Sequence, residues 1–264
     1  MNSPVQQPPS SWLRSYGTPG PARTAVRLVC FPHAGGAASF YREWAELLPQ
    51  EVELAAVRYP GREDRFSEPF AERMDALADP IAEELAAGAG SGAGVPLALF
   101  GHSMGAALAC EVAARLERRQ GVRLERLFVS GREGPGVETD GGPKSYDDEA
   151  LSGEVARLGG HGAEILAVPG LRELLLPVLR ADYRLIDSYR AGPGLRLSTP
   201  VTALAGESDP SCTVEEVREW SAATSASFEL RGFPGDHFFL VPCREQVVAV
   251  VRERLAPLWG GSGG

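Results

Sequence analysis

The chain has 264 residues, 44% of them hydrophobic and 23% charged, with a formal net charge of −9. This is the profile of one soluble globular domain large enough to carry an insertion. No Lys/Arg cluster is dense enough for a nucleic-acid face, and the overall sign opposes phosphate binding. No apolar run approaches the roughly 18 residues needed to span a bilayer, and the first twenty residues lack the apolar stretch of a signal peptide. The expectation is therefore a protein with neither leader nor membrane anchor. Four cysteines, Cys30, Cys110, Cys212 and Cys243, are scattered without a CxxC pair. That argues against a zinc site or a disulfide framework and for a reducing compartment, the cytoplasm.

Residues 1–24, rich in Pro, Ser, Gln and Gly, suggest an irregular arm, with Trp12 available to dock it on the body. "VRLVCF" (26–31) has the composition of a buried strand, followed by the small-residue turn "PHAGGAAS" and a helix at 40–48. A second strand is expected at 52–60 and a helix at 74–85, which Pro80 is expected to kink or restart. Next come the strand "VPLALF" (95–100), a helix at 106–120 with Leu108, Val112 and Leu116 on one face, and a strand at 123–131. Further on, strands are expected at 200–206 and 227–233, with helices at 214–224 and 243–259.

Strands alternating with helices imply a mostly parallel sheet with helices on both faces. Between residues 131 and 200 the connection is far longer than a parallel crossover needs. Two helical stretches, 145–160 and 171–190, fill it. The second has a wide apolar face with Leu171, Leu175, Leu179 and Tyr183 along it. Such a face suits a lid over an apolar cavity; two ordinary packing helices are the alternative. The expected organisation is an α/β core from 25–133 and 193–259, a helical lid at 134–192, and a flexible tail at 260–264.

Ser103 stands in "FGHSMGAAL", spaced Gly-x-Ser-x-Gly between a strand and a helix. At such a turn the side chain is pushed outward, and a glycine on either side leaves room for it, the setting of a nucleophilic serine. The pattern recurs around Ser262, but there no strand precedes it and no helix follows. A serine needs a base. His237, in "FPGDHFFL" after the last strand, lies on the sheet edge where α/β sites assemble. His102 adjoins the serine and should leave the turn in another direction, as a packing or hydrogen-bonding residue. His33 is near by topology but faces the wrong way, and His161 is expected on the surface. The acid that would hold the base is Asp209, in "LAGESDPSC", with Glu133 at the end of the preceding strand as competitor. Asp236 is expected to be an exposed loop charge, and of Glu207 and Asp209 only one need point inward. The backbone N–H groups of Met104 and Ala34 are the expected donors to an oxyanion. The glycines of "FPHAGG" fit neither a GxGxxG nor a Walker pattern, which discounts a nucleotide site.

Taken together, "CFPHAGGAASFYREWAELL", "VRYPGREDR", "LFGHSMGAALACEVA", "VSGREGPG", "AGESDP" and "FPGDHFFL", in this order, closely resemble the type II thioesterases, the stand-alone editing enzymes of polyketide and nonribosomal peptide assembly lines. The resemblance runs from about residue 26 to 258. It implies an α/β-hydrolase fold with a helical lid, a triad of Ser103, Asp209 and His237, and an oxyanion hole from Ala34 and Met104. It also implies hydrolysis of acyl groups from the phosphopantetheine arm of acyl or peptidyl carrier proteins, with no cofactor or metal of the enzyme's own. A monomer is expected, since no assembly element is visible. Carrier proteins are generally acidic, as is this chain, so docking would need a local basic patch. Arg58, Arg62 and Arg65 are candidates, unless they pair with Glu63, Asp64 and Glu68. Three rival functions remain: an acyltransferase or cyclising thioesterase, a general carboxylesterase, and a catalytically idle scaffold that binds acylated carriers.

Overall fold

The computed structural model describes residues 12–17, 24–89, 95–119, 122–137, 142–143, 145–160, 162–192 and 194–259. His161 and the second Gly-x-Ser-x-Gly match, around Ser262, lie outside them. Within the described residues, strands β2 (Val26–Phe31), β3 (Val52–Val57), β4 (Leu97–His102), β5 (Leu124–Ser130), β6 (Val201–Gly206) and β7 (Phe228–Phe233) run parallel. With β1 (Leu13–Tyr16) they make a seven-stranded sheet in the order β1-β3-β2-β4-β5-β6-β7. Along each strand, alternate residues feed two cores, as the period of two requires. Val29, Leu99 and Val129 face helices α1 (Met74–Ala89) and α2 (Met104–Glu117). Leu28, Phe100 and Phe128 face the other side, under Tyr41, Trp44 and helix α7 (Arg244–Leu255). Burial on both faces explains why these strands are nearly continuous apolar runs.

The expectation of an irregular arm over residues 1–24 fails at β1, which pairs antiparallel with β3, Leu13 opposite Val57 and Tyr16 opposite Leu54. An edge strand has one partner and little to bury, so it needs no apolar run. Trp12 fixes its start. The Trp12 carbonyl accepts from the Arg58 N–H at 2.8 Å, and the Arg65 guanidinium lies 4.1 Å from the indole centroid.

Other differences have local causes. The helix after β2 is a 3₁₀ helix, Ala38–Glu46, and its buried residues Ala38, Tyr41 and Trp44 fall three apart, the 3₁₀ period. Helix α1 continues through Pro80 without a restart. The stretch 214–224 divides into helix α6 (Val214–Arg218) and a 3₁₀ turn, Glu219–Ala223. Helix α7 likewise ends in a 3₁₀ turn, Ala256–Leu258, that begins next to Pro257. The long connection between β5 and β6 carries α3 (Asp148–Leu158), a short α4 (Gly162–Leu166) that was not expected, and α5 (Pro169–Ser188).

Candidate active site

Because β2, β4, β6 and β7 are parallel, the segments that follow them gather at one sheet edge. Those segments carry His33 and Ala34, Ser103, Asp209, and His237. Ser103 sits between β4 and α2 with φ +56° and ψ −121°, one of two non-glycine residues among those described with positive φ. That conformation is strained by roughly 1–3 kcal/mol and persists only where its surroundings over-determine it. Here they do. The Ser103 N–H donates to the Ser130 carbonyl at 2.8 Å, and its own carbonyl accepts from the Ala106 N–H at 2.9 Å. A Cβ on Gly101 would stand 2.2 Å from the Gly105 carbonyl oxygen, and one on Gly105 2.1 Å from that of Phe31. The two glycines therefore let helix α2 press onto the ends of β4 and β2. Ser103 is half-buried between the buried His102 and Met104.

His237, 2% exposed, places Nδ1 2.8 Å from Asp209 Oδ2. An ionised carboxylate only accepts, so Nδ1 carries the proton and Nε2 is left with a free lone pair. The other Asp209 oxygen accepts from the Ser211 N–H at 2.8 Å and from the Ser211 hydroxyl at 2.6 Å. Burial disfavours the Asp209 anion, but the hydrogen bond and charge of His237, with the two bonds from Ser211, outweigh it. The carboxyl is held well below the ordinary carboxylate range. Ser211 was not anticipated from the sequence. Its signal was a hydroxyl residue two places after an aspartate in a turn, the spacing of an Asx turn.

The remaining candidates separate clearly. The Glu133 carboxylate is 2.9 Å from the Arg132 guanidinium, while the carboxylate on His237 is that of Asp209. Glu207 is exposed. Asp236 is not a bare loop charge: it accepts from the Phe238 N–H at 2.8 Å and the Gly160 N–H at 3.3 Å, tying the His237 loop to the end of α3. His102 is fully buried, with Nδ1 3.0 Å from Ser130 Oγ and its ring 4.8 Å from that of His237. Burial first, then the neighbouring His237 and His33, push it well below the usual histidine range, so it is neutral. His33 does not face away. It lines the cavity, edge-on to Phe40 and Phe238, and is pushed down to about 3 by burial, then by His237 and Arg62.

In the turn after β2, the Gly36 N–H is donated to the His33 carbonyl (2.9 Å) and the Gly35 N–H to Asp182 (2.8 Å). Among the described residues the Ala34 N–H has no such acceptor. Met104 opens α2, where the first N–H groups have no acceptor within the helix. Ser103, His237, His33 and Ala34 line a cavity of about 1130 Å³, walled on one side by Leu175, Val178 and Leu179 of α5.

The basic patch is overturned. Arg62 is 9% exposed and holds both Asp182 oxygens, at 2.7 and 2.8 Å. Arg65 is buried on Trp12 and bound to both oxygens of Glu68, and Arg58 lies 2.7 Å from Asp64. The guanidinium groups are consumed in holding the loop together.

A strained serine at a strand-to-helix turn, with an Asp–His pair on the same edge of a mostly parallel sheet, defines an α/β-hydrolase. The chain belongs to the thioesterase domain family, whose model it matches over residues 26–257. It is 43% identical to the thioesterase PikA5 of Streptomyces venezuelae, over 87% of this chain and 80% of that protein. It is 42% identical to a probable cadicidin biosynthesis thioesterase of Streptomyces griseus, over 93% of this chain and 66% of that longer protein. Among solved structures, the type II thioesterase BorB of the borrelidin biosynthetic cluster superposes with a TM-score of 0.83 at 38% identity, covering 95% of this chain and all of that one. The protein is a thioester hydrolase. No helix among the described residues is long and apolar enough to cross a membrane.

Proposed function

We propose that this enzyme removes acyl groups, aberrant ones included, from the phosphopantetheine thiol of acyl or peptidyl carrier proteins, releasing stalled polyketide or nonribosomal peptide synthases. Ser103 is the nucleophile, His237 the base and Asp209 its partner. His237 Nε2 takes the Ser103 proton as Oγ attacks the thioester carbonyl. The tetrahedral oxyanion rests on the Ala34 and Met104 N–H groups. The C–S bond breaks and the thiol leaves with the proton from His237. Water, deprotonated by His237, then attacks the acyl-serine, and the proton returns to Ser103 as the carboxylic acid departs.

The observation that carries this reading is that Ser103 and the Asp209-bound His237 open onto a chamber of about 1130 Å³ with an apolar wall. A compact polar substrate would not need such a volume, whereas an acyl chain on a carrier arm would. Helices α3–α5 serve as its lid. The names of the relatives, which include thioesterases of antibiotic pathways, support the choice of carrier-bound substrates.

The test is mass spectrometry of a holo carrier protein loaded with short acyl groups, incubated with wild type and with Ser103→Ala. Loss of the acyl mass with wild type alone is expected. A carrier that stays loaded while a nitrophenyl ester is cleaved would overturn the substrate assignment and leave the triad standing.

A further inference from the structure

The turn that carries Ala34 is gripped from two directions. The Gly35 N–H donates to Asp182 Oδ2 at 2.8 Å, and Arg62 donates to the Gly36 carbonyl at 3.0 Å. Arg62 and Asp182 then bind each other through two hydrogen bonds, at 2.7 and 2.8 Å, which closes a ring from turn to α5 to the segment after β3 and back to the turn. Both side chains are buried, at 9% and 5% exposure. At the start of the turn, the Tyr59 hydroxyl donates to the Pro32 carbonyl at 3.1 Å. The Arg62 guanidinium lies 5.2 Å from the centre of the Tyr59 ring. Above the turn, Gly35 (φ +78°) lies so close under α5 that a Cβ there would be 2.5 Å from Leu179.

The consequence concerns one peptide group. The Pro32–His33 peptide is fixed through its carbonyl by Tyr59. The Ala34–Gly35 peptide is fixed through its N–H by Asp182. The His33–Ala34 peptide, whose N–H is the unspent donor, lies between them and has little freedom left to rotate. An oxyanion donor is effective because it is aimed before charge develops.

We propose that Arg62 and Asp182 are positioning residues for the oxyanion-binding turn: Asp182 on α5 holds the peptide next to the Ala34 donor, and Arg62 holds Asp182 while neutralising its charge. The proposal rests on the acyl-serine reading above. Two physical points favour it over a purely structural pair. First, a buried ion pair is weak as a stabiliser, because desolvation offsets the attraction, and apolar replacements of similar volume are often as stable. Second, an unneutralised Asp182 anion would sit beside the site where negative charge must form. Arg62 therefore has work in the reaction that a structural cation would not.

The second point gives a signature. Arg62→Met leaves the Asp182 anion uncompensated and should lower kcat on the order of 100-fold, with KM within about threefold of wild type. Adding Asp182→Asn removes that anion and should recover roughly tenfold of the loss. The nearly isosteric Asp182→Asn alone guards against misfolding of the Arg62 variant and should lower kcat on the order of 10-fold. Rates are taken per active site, counted with a fluorophosphonate that labels Ser103. A trifluoromethyl ketone analogue of the acyl chain, which adds Ser103 Oγ to form a tetrahedral oxyanion, should weaken in parallel with kcat/KM. A non-hydrolysable amide analogue should bind as to wild type. The proposal is overturned if all variants keep kcat per labelled site within threefold of wild type, or if the ketone and the amide weaken equally. Ser103→Ala separates the two levels. If it is inactive and the clamp variants are normal, only the clamp fails; if it keeps full turnover, the acyl-serine reading fails and takes the clamp with it.

Discussion

The hydroxyl of Ser211 is donated to Asp209 Oδ1 at 2.6 Å, the carboxylate oxygen that His237 does not use. Its single proton is thereby committed, so toward His237 Nδ1, 2.9 Å away, it can only accept. The Nδ1–H thus points into a pair of acceptors, and both select the tautomer with its lone pair on Nε2. Ser211→Ala removes one hydrogen bond from the carboxylate while keeping the backbone N–H bond to the same oxygen. A bond to a charged group contributes roughly 1.5–3 kcal/mol. A loss of about tenfold in kcat, with KM little changed, is the expected result by steady-state kinetics. Asp209→Asn, which reverses the tautomer, should cost roughly 10³–10⁴-fold by comparison with serine hydrolases of known mechanism. Equal losses in the two variants would show that Ser211 holds more than the carboxylate.

Gly105 is required for packing. A Cβ there would lie 2.1 Å from the Phe31 carbonyl oxygen and 2.6 Å from that of Pro32, both backbone atoms that cannot swing aside. Gly105→Ala therefore has to displace α2 or the end of β2, and the end of β2 leads into the turn with Ala34. The expected cost is about 1–3 kcal/mol of stability, together with a fall in kcat of at least 100-fold, because Ser103 and the turn with Ala34 move apart. Urea titration and turnover per labelled serine check the two effects separately. Full activity in the alanine variant would refute the close approach.

What the sequence made legible was what depends on short-range pattern. The buried strands are apolar runs because both faces of the sheet are covered, and Ser103 stands out because its glycines, strand and helix are its immediate neighbours. Asp209 and His237 could be singled out because parallel strands bring their trailing ends to one edge. Arg62 shows where such reading stops. Its local neighbours Glu63 and Asp64 were the obvious partners, yet it pairs with Asp182, 120 residues away. Only the placement of α5 over the sheet edge makes that pairing, and no period or spacing encodes it. Strand β1 was missed for a different reason: an edge strand is held by main-chain bonds and one docked Trp12, neither of which leaves a side-chain rhythm.

The buried histidine beside Ser103 makes folding sensitive to acid. His102 is fully buried, and its folded-state pKa lies well below the ordinary value near 6.5. As pH falls through the mid-sixes the unfolded chain takes up a proton that the folded chain refuses. Stability is complete above that pH and declines below it, by about 1.4 kcal/mol per pH unit for one such group. His33 acts in the same direction and with the same slope down to its value of about 3. Asp209, also lowered, adds its loss only as pH falls below the usual carboxylate range. Unfolding by urea should show a protein about 4 kcal/mol less stable at pH 5 than at pH 7.5, about 2 kcal/mol from each histidine. His102→Gln should remove about half of that dependence. A midpoint that does not move between the two pH values would mean that both histidines are solvated or charged in the folded state.

The wall formed by α5 sets how much acyl chain the chamber can seat. Leu175 lines the cavity and is only half-buried, so a larger side chain there extends into free volume more readily than at the buried Val178. Leu175→Trp puts an indole into the chamber from its α5 wall. Each methylene kept from an apolar wall forfeits about 0.8 kcal/mol, close to a fourfold factor in kcat/KM. Excluding two should lower the preference for a ten-carbon over a four-carbon acyl-pantetheine by more than tenfold, with the short substrate turned over as by wild type. The comparison is internal to one enzyme preparation, so a partial loss of folding cancels from the ratio. If the ratio stays unchanged while both rates fall together, the chain does not run along Leu175, and α5 covers the site without measuring the acyl group.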